Sequence, residues 1–345
     1  MIMSSLLRGL GTSVQKDLGR LKPRWLWFGV TDKCNSRCVY CNIWKMKPCP
    51  DPLTPSEIEI ILSNDLFKNI QYVLNSGGEP VMRTDIKDVF AVEHKVLPDA
   101  RLQLSTNGIM VDSIISLVQF ALEDLGCHLD VGVSLDGVGE NHDSTRGIKG
   151  NFERVNRLLH ELQPYRETFG EKLQVTVGAT LTDQTVKYAH EAWAYAKSLN
   201  IPFMLRWFNQ SEFYGNASEK SKATAQELKS AIQTYLPCNL YRAMWLRSLE
   251  TGCPAKFNCF ALHTFCVLKC NGDISPCLSL WDTVIGNARK TDPTIIWNSY
   301  QAKIGRKAVS DCTGCLNSWG VNWSLNSSYL SILSYSLKRR IQNID

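Results

Sequence analysis

From about residue 25 to residue 208, short apolar runs alternate with longer segments in which apolar positions recur at helical spacing. The runs are Trp25–Val30, Tyr72–Asn75, Leu102–Ser105, Val131–Leu135, Leu173–Leu181 and Phe203–Phe208. They are rich in Val, Leu, Phe and Trp and lack strict alternation, so they predict strands buried on both faces of a parallel sheet. The segments between them predict helices over Asp85–Lys95, Asp112–Leu125, Phe152–Phe169 and Gln184–Leu199. A further helix should begin at Thr54-Pro55-Ser56-Glu57. There Thr54 serves as N-cap, Pro55 suits the first helical position and Glu57 closes a capping box. Six such repeats argue for an α/β fold, either an open wound sheet or a partial (β/α)6 TIM-like barrel. In both, the chemistry gathers in the loops after the C-terminal ends of the strands.

Beyond residue 208 the pattern changes. Residues 209–224 are polar and rich in Ser, Asn, Lys and Glu, reading as a linker. A helical stretch follows from Ala225 to Leu249, interrupted by Pro237. Residues 252–320 are punctuated by Cys and Gly with little periodicity, as expected of a small domain held by a metal site. Leu325–Ile341 returns to helical spacing and ends in Lys338, Arg339 and Arg340, cations that suit a helix C-terminus. Ahead of the first strand, Ile2, Leu6, Leu7, Leu10, Val14, Leu18 and Leu21 outline an amphipathic helix, weakened by Gly9 and Gly11. Packing on its own domain is the simpler reading; contact with a membrane surface is the alternative. The expected division is 1–24 extension, 25–208 barrel, 209–251 linker and helix, 252–320 Cys-rich domain and 321–345 C-terminal helix.

Composition narrows the function classes. A chain of 345 residues with 44% hydrophobic content can bury a core of this size. Lys and Arg number 38 against 33 Asp and Glu, and no basic run is interleaved with aromatics, so nucleic acid is not an implied partner. Cysteine is the anomaly: there are 13, three of them at 34–41 and eight between Cys238 and Cys315. The stretch from Met1 to Arg20 carries Arg8, Lys16, Asp17 and Arg20 with no continuous apolar core, and reads neither as an export signal nor as a spanning helix. Clustered cysteines without export imply metal ligands in a reducing, cytoplasmic compartment.

The first cluster, Cys34-Asn-Ser-Arg-Cys38-Val-Tyr40-Cys41, directly follows the first strand. Three thiolates on one loop can hold three corners of a cubane cluster. With Cys49 as a fourth ligand, fixed between Pro48 and Pro50, the same loop could instead wrap a tetrahedral zinc ion. The spacing C-x-x-x-C-x-x-C, with an aromatic before the last cysteine, resembles the signature of the radical S-adenosylmethionine (SAM) superfamily. The resemblance continues over most of the chain. Ser76-Gly77-Gly78-Glu79-Pro80 after the second strand looks like the family's GGEP motif. Ser105-Thr106-Asn107-Gly108 and Ser134-Leu135-Asp136-Gly137 follow the third and fourth strands, and His142–Gly147 is similar to a stretch in members with extra clusters. Taken singly, each is an ordinary turn; their order after a cysteine loop is what carries the resemblance.

The resemblance implies a 4Fe-4S cluster held by Cys34, Cys38 and Cys41, with one iron left open for the methionine amine and carboxylate of SAM. It implies that Gly77, Gly78, Glu79 and Pro80 hold the methionine ammonium, and that Ser105, Asn107, Ser134 and Asp136 help bind carboxylate and ribose. Tyr40 would lie near the adenine, to which Val177–Leu181, through Ala179 and Leu181, would offer backbone contacts. Arg146 is read as the partner of a cofactor or substrate carboxylate, or as a surface salt bridge. One electron, from a donor such as flavodoxin or ferredoxin, would cleave the sulfonium, and the resulting 5′-deoxyadenosyl radical would abstract a substrate hydrogen.

A second set, Cys259-x12-Gly272-x4-Cys277 followed by Cys312-x2-Cys315, resembles the auxiliary-cluster domains called SPASM and, in shortened form, Twitch. Asn271-Gly272 suits the turn of a hairpin over 270–277. No cysteine follows Cys315, so one auxiliary 4Fe-4S cluster is expected; a zinc ribbon would use the same thiolates. Cys49, Cys127, Cys238, Cys253, Cys266 and Cys270 are read as packing. The ligand order resembles that of single-auxiliary-cluster relatives acting on aminocyclitols. That implies oxidation or epimerisation of a small polar, sugar- or cyclitol-like substrate, with peptide or protein modification as the alternative. Arg206 and Trp207, and Asp273 further on, are expected at the mouth. An iron–sulfur electron carrier and a zinc-binding scaffold are the readings from other classes.

Overall fold

The computed structural model describes residues 21–327 apart from 209, 217–224, 237–239, 253–256 and 313–316. The expected N-terminal helix, the tail beyond Ser327, and Cys238, Cys253 and Cys315 therefore lie outside the described residues. Six parallel strands form in chain order: β1 (Trp25–Thr31), β2 (Tyr72–Gly77), β3 (Arg101–Thr106), β4 (Leu129–Ser134), β5 (Leu173–Leu181) and β6 (Phe203–Trp207). Each pairs with the next in register, from Trp25 opposite Tyr72 to Leu181 opposite Trp207. The sheet curves as a partial barrel of the α/β class, with the cysteine-rich segment C-terminal to it.

Helices cover the outer face: α1 (Pro55–Leu62), α2 (Ile86–Val96), α3 (Val111–Gln119), α4 (Glu140–Arg146), α5 (Asn151–Glu161), α6 (Gln163–Phe169) and α7 (Ala189–Ser198). The start of α1 has the reciprocal cap expected of its sequence: Thr54 Oγ1 accepts from Glu57 N at 3.3 Å and Glu57 Oε2 accepts from Thr54 N at 2.8 Å. Where one helix was expected over 152–169, two form, because Pro164 stands in the first turn of α6 and cannot donate within a continuing helix. The expected helix over 112–125 ends as a wider π turn at Phe120–Asp124, and that over 184–199 opens with a 3-10 turn at Val186–Tyr188.

The strands separate two kinds of interior. Leu26, Phe28 and Val30 of β1 enter the layer shared with the helices, where Ile58 and Ile61 of α1, Phe90 of α2 and Leu117 of α3 are also buried. Trp27, alternating with them, enters a different cluster with Leu74, Ile43 and Phe213, at whose margin lie Cys34, Cys41, Cys259 and Cys277. The second interior is the inside of the barrel, and both cysteine groups border it.

The C-terminal segment is more regular than its sequence periodicity foretold, and it is not separate from the barrel. Strand β7 (Phe265–Leu268) pairs in parallel with β1, setting Leu26 opposite Cys266 and Phe28 opposite Leu268. The hairpin strand β8 (Asp273–Ser275) and the short β9 (Gly286–Asn287) then pair antiparallel, so the sheet runs β6-β5-β4-β3-β2-β1-β7-β8-β9. Gly272, at φ +90°, makes the expected turn between β7 and β8. Helices α8 (Ala225–Tyr235) and α9 (Leu240–Thr251) precede this module; α10 (Pro293–Asn298), α11 (Tyr300–Ser310) and α12 (Ser318–Ser327) complete it. Asp292 and Ser299 cap α10 and α11, and Arg289 pairs with the capping Glu57 of α1 at 2.8 Å. A nine-strand sheet thus covers the edge that a six-strand barrel would leave open at β1. Residues 21–251 alone should expose that apolar edge and self-associate, run as aggregate on size exclusion, and recover as a monomer only with the C-terminal module present. A stable monomeric fragment would show that β7 is dispensable.

Candidate active site

The loop carrying Cys34, Cys38 and Cys41 leaves the end of β1 and docks on the C-terminal end of α4. Arg37 N donates to Arg146 O at 2.9 Å and Val39 N to Thr145 O at 3.0 Å. Gly147 follows at φ +66°, where a Cβ would stand 2.6 Å from the Arg37 carbonyl oxygen, so glycine is required on both counts. The side chain of Arg146 turns inward. Its Nε pairs with Asp136 Oδ2 at 2.7 Å and its Nη1 reaches Cys38 Sγ at 3.5 Å. Asp136, fully buried, also accepts from Tyr40 OH at 2.7 Å and from Thr180 N at 2.8 Å. Its own N–H donates to Nδ1 of His142, whose pKa burial lowers to about 4, keeping the ring neutral and able to accept.

A second buried carboxylate organises the opposite wall. Glu79 accepts from Thr106 Oγ1 and from Asn107 N, both at 2.7 Å. Burial raises its pKa from 4.5 to about 7, against the pull of those donors. Asn107 in turn donates to Asn35 Oδ1 at 2.8 Å, bridging the third-strand loop to the cysteine loop. Gly77 and Gly78 are needed by the chain's own backbone. A Cβ on either would stand 2.1 Å from a carbonyl oxygen, of Thr31 for Gly77 and of Lys33 for Gly78. That close approach extends the strand pairing past β1, through Gly78 N to Thr31 O and Glu79 N to Lys33 O.

These loops enclose one cavity. Cys34, Cys38, Tyr40, Cys41, Gly77, Gly78, Glu79, Ser105, Asn107, Ser134 and Arg146 all line it. Four residues expected there do not. Pro80 is buried in the following 3-10 turn, and Ala179 and Leu181 point into the cluster outside the barrel while Thr180 between them faces the cavity. Asp136 stands behind the wall, its two oxygens committed to Tyr40, Arg146 and Thr180. Arg146 is accordingly not a surface salt bridge: it is buried, pairs with Asp136 and Cys38, and lines the cavity. Glu79 lines the cavity while its oxygens accept from Thr106 Oγ1 and Asn107 N. Arg206 and Trp207 do line the cavity, whereas Asp273 bonds to Asn271 and Asn287 within the β7–β8 turn region.

Sequence reasoning missed Trp27, Tyr214, Asn216 and Trp319, which also line the cavity. Tyr214 and Asn216 come from the segment read as linker, which grips the cysteine loop: Asn42 N donates to Tyr214 O at 2.8 Å and Asn216 Nδ2 to Tyr40 O at 2.9 Å. The only sequence signal was the Phe213-Tyr214 pair amid polar residues.

The donor set suits an iron–sulfur cluster. Burial raises the thiols of Cys34 to about 11 and Cys41 to about 12, and neighbouring thiolates raise them further. Such a group of thiols ionises together only when a bound cation supplies the compensating charge. At the second site, burial raises Cys277 to about 12, with Cys259 and then Cys312 adding to the shift; backbone N–H groups of Leu280 and Ser279 oppose it. Ser324 Oγ lies 3.9 Å from Cys259 Sγ. Cys127 and Cys266 pack in the core as expected. Cys270 departs from that expectation, since its thiol donates to Asp32 Oδ2 at 3.3 Å.

The raised pKa of Glu79 makes a signed prediction. Folding favours its protonated form, so its contribution to stability is full below pH 4.5 and is lost as pH rises through about 7. Melting of the metal-free protein between pH 5 and pH 8 should show Glu79→Gln gaining on wild type by a few degrees as pH rises. A difference independent of pH would mean that the carboxylate's charge is fully compensated in the fold.

Comparisons with known proteins agree with this geometry. Residues 29–191 match the family model described as the radical SAM superfamily, and residues 259–316 match SPASM, an iron–sulfur cluster-binding domain. The chain is 32% identical over 167 residues to the Fe-coproporphyrin III synthase of Methanosarcina barkeri, covering 48% of this chain and 39% of that protein. It is 30% identical over 188 residues to the mycofactocin maturase MftC of Mycolicibacterium smegmatis, covering 54% and 46% respectively. The chain thus spans less than half the length of these curated relatives. Among solved structures, Streptococcus suis SuiB bound to its precursor peptide SuiA superposes with TM-score 0.66 at 15% identity, over 87% of this chain and 70% of that one. The AdoMet-bound anSMEcpe superposes with TM-score 0.60 at 16% identity, over 93% and 98%. These likenesses are of fold. The first domain brings with it a 4Fe-4S cluster and SAM, and the second an auxiliary iron–sulfur cluster. No described helix is long and apolar enough to cross a membrane. The chain carries a radical SAM domain over residues 29–191, followed by a SPASM iron–sulfur cluster-binding domain over residues 259–316.

Proposed function

We propose that this protein is a radical SAM enzyme that abstracts hydrogen from a peptide substrate. The observation that carries the reading is the single cavity in which three thiols face the Gly77-Gly78-Glu79 and Ser105–Asn107 loops. Cys34, Cys38 and Cys41 would hold the catalytic cluster. Cys259, Cys277 and Cys312, with Cys315 outside the described residues, would hold one auxiliary cluster in a Twitch-like arrangement. When bound, cluster and SAM supply a 5′-deoxyadenosyl radical that takes a hydrogen atom from the substrate.

The chain's own residues position and shield. Arg146 directs its Nη1 at Cys38 Sγ and so orients that side chain. Tyr40, locked onto Asp136, fixes the last turn of the cysteine loop, while Ser105, Asn107 and Ser134 offer short polar groups to the cofactor's amino-acid end and ribose. Trp27, Tyr214 and Trp319 close the barrel's inner end with aromatic surface that excludes water. A peptide is favoured as substrate because MftC is a maturase and SuiB is seen with a precursor peptide. A small polar sugar or cyclitol is the second reading, favoured by the hydroxyl and amide groups of Ser76, Thr180 and Asn216 on the cavity wall. A reducing donor such as flavodoxin or ferredoxin would supply the electron in either case.

The test pairs wild type with the triple substitution Cys34→Ala, Cys38→Ala, Cys41→Ala, each reconstituted without oxygen and given dithionite and SAM. Wild type should carry about eight irons per chain, from two four-iron clusters, and release 5′-deoxyadenosine. The triple variant should keep about four irons and release none. Cleavage that survives the triple substitution would remove the assignment.

A further inference from the structure

Arg206 is a charged side chain that the cofactor site described above leaves without a partner. It projects from β6 across the inner face of the barrel, over two strands that give it room by having no side chain. A Cβ on Gly178 of β5 would stand 3.1 Å from its Cζ, and one on Gly132 of β4 would stand 3.6 Å from Nη2. Trp319 of the C-terminal module covers the guanidinium, its ring centroid 5.7 Å from Cζ. Among the described residues, Nε is buried with no hydrogen-bond partner. The titratable groups around it are Tyr214, Tyr40, Arg146 and Asp136, and burial keeps both phenols protonated and neutral. Arg146 repels it. Asp136, the one carboxylate among them, is already shared by Tyr40, Arg146 and Thr180 N.

The guanidinium is half-buried with its Nε withdrawn from water; a charge so placed without an anion is costly, and the cost is relieved when an anion arrives. Burial, the largest influence on Arg206, holds its pKa below the ordinary arginine value. The planar donor fork matches a carboxylate in two-pronged fashion, and the aromatic lid of Trp319 leaves one edge of the fork toward the cavity that Arg206 lines. We infer that Arg206 is an anion-binding residue that holds a carboxylate of the substrate inside the barrel, beneath Trp319. The inference rests on the substrate reading above and sharpens it: a peptide carries such a group at its C-terminus or on Asp and Glu side chains, whereas a neutral cyclitol carries none. SAM's own methionine carboxylate is the other source of the same chemistry.

The experiment uses the full chain, reconstituted without oxygen, and saturation-transfer NMR with two probes, N-acetylalanine and N-acetylalaninamide. The carboxylate should bind wild type about tenfold more tightly than the amide, the factor expected of one charge-assisted pair in a partly dry site. Arg206→Gln should erase that preference and Arg206→Lys should retain part of it, with iron content unchanged in both. Equal preference in wild type and Arg206→Gln would overturn the assignment. SAM affinity separates the two sources. A tenfold loss in Arg206→Gln for SAM, with none for decarboxylated SAM, would give the guanidinium to the cofactor and overturn the substrate assignment. The probe measurement is made without SAM, so a wild-type protein that captures carboxylate yet never cleaves SAM refutes the enzymatic reading alone.

Discussion

A guanidinium and a carboxylate withdrawn together from water hold one another only if their remaining protons and lone pairs are also satisfied. Arg146 and Asp136, 8% and 0% exposed at their side chains, draw such partners from the cysteine loop and from β5. Tyr40 comes from the cysteine loop, Thr180 from β5, and Cys38 takes the outer face of the guanidinium. The backbone of the same helix end accepts from Arg37 and Val39. The path of the cysteine loop is therefore set by one buried pair and the helix that presents it. Such a pair adds little net stability compared with apolar packing; what it provides here is a fixed direction for three thiols. Glu79 does the equivalent work on the other wall, tying the loops after β2 and β3 together.

The C-terminal module completes the barrel in two ways. Through β7 it pairs the open edge of β1, and through α12 it sets Trp319 over the cavity. Its Arg289 also holds Glu57, the residue that caps α1. The two cysteine groups consequently border one aromatic cluster, in which Trp27 packs edge-on against Phe213 at 5.0 Å and Trp281 at 6.0 Å. The barrel interior is closed by residues from both halves of the chain, which is why the linker segment and the module contribute to a site that begins at residue 34.

Local signals made much of this legible before any coordinates. Strands buried on both faces read as unbroken apolar runs, and all six appear within two residues of those runs. The cap at Thr54, the turn at Asn271-Gly272 and the cysteine spacing are likewise properties of a few adjacent residues. What stayed hidden depends on contacts distant in sequence. Asp136 sits in a motif that resembles a ligand-binding loop, yet its oxygens face the protein, and no neighbouring residue announces that direction. Strand β7 has only four residues and its partner is 240 positions away, at Trp25 opposite Phe265. Tyr214 and Asn216 lie in a polar stretch whose grip on residues 40–42 exists only once the barrel has closed. Helix α10 escaped because it has six residues and is defined by its cap, and α11 because its buried face is made of small residues, Ala302 and Gly305 with Val309.

The central claim is that the cavity beside Arg146 presents three thiolates to a cluster and leaves one iron open to SAM. Electron paramagnetic resonance of the anaerobically reconstituted, dithionite-reduced protein, recorded before and after SAM is added, tests it most directly. The account predicts a reduced four-iron signal that changes shape on SAM addition, as it would if SAM bound at the cluster that Cys34, Cys38 and Cys41 would hold. A signal from the catalytic cluster indifferent to SAM, or a colourless protein holding zinc, would contradict it.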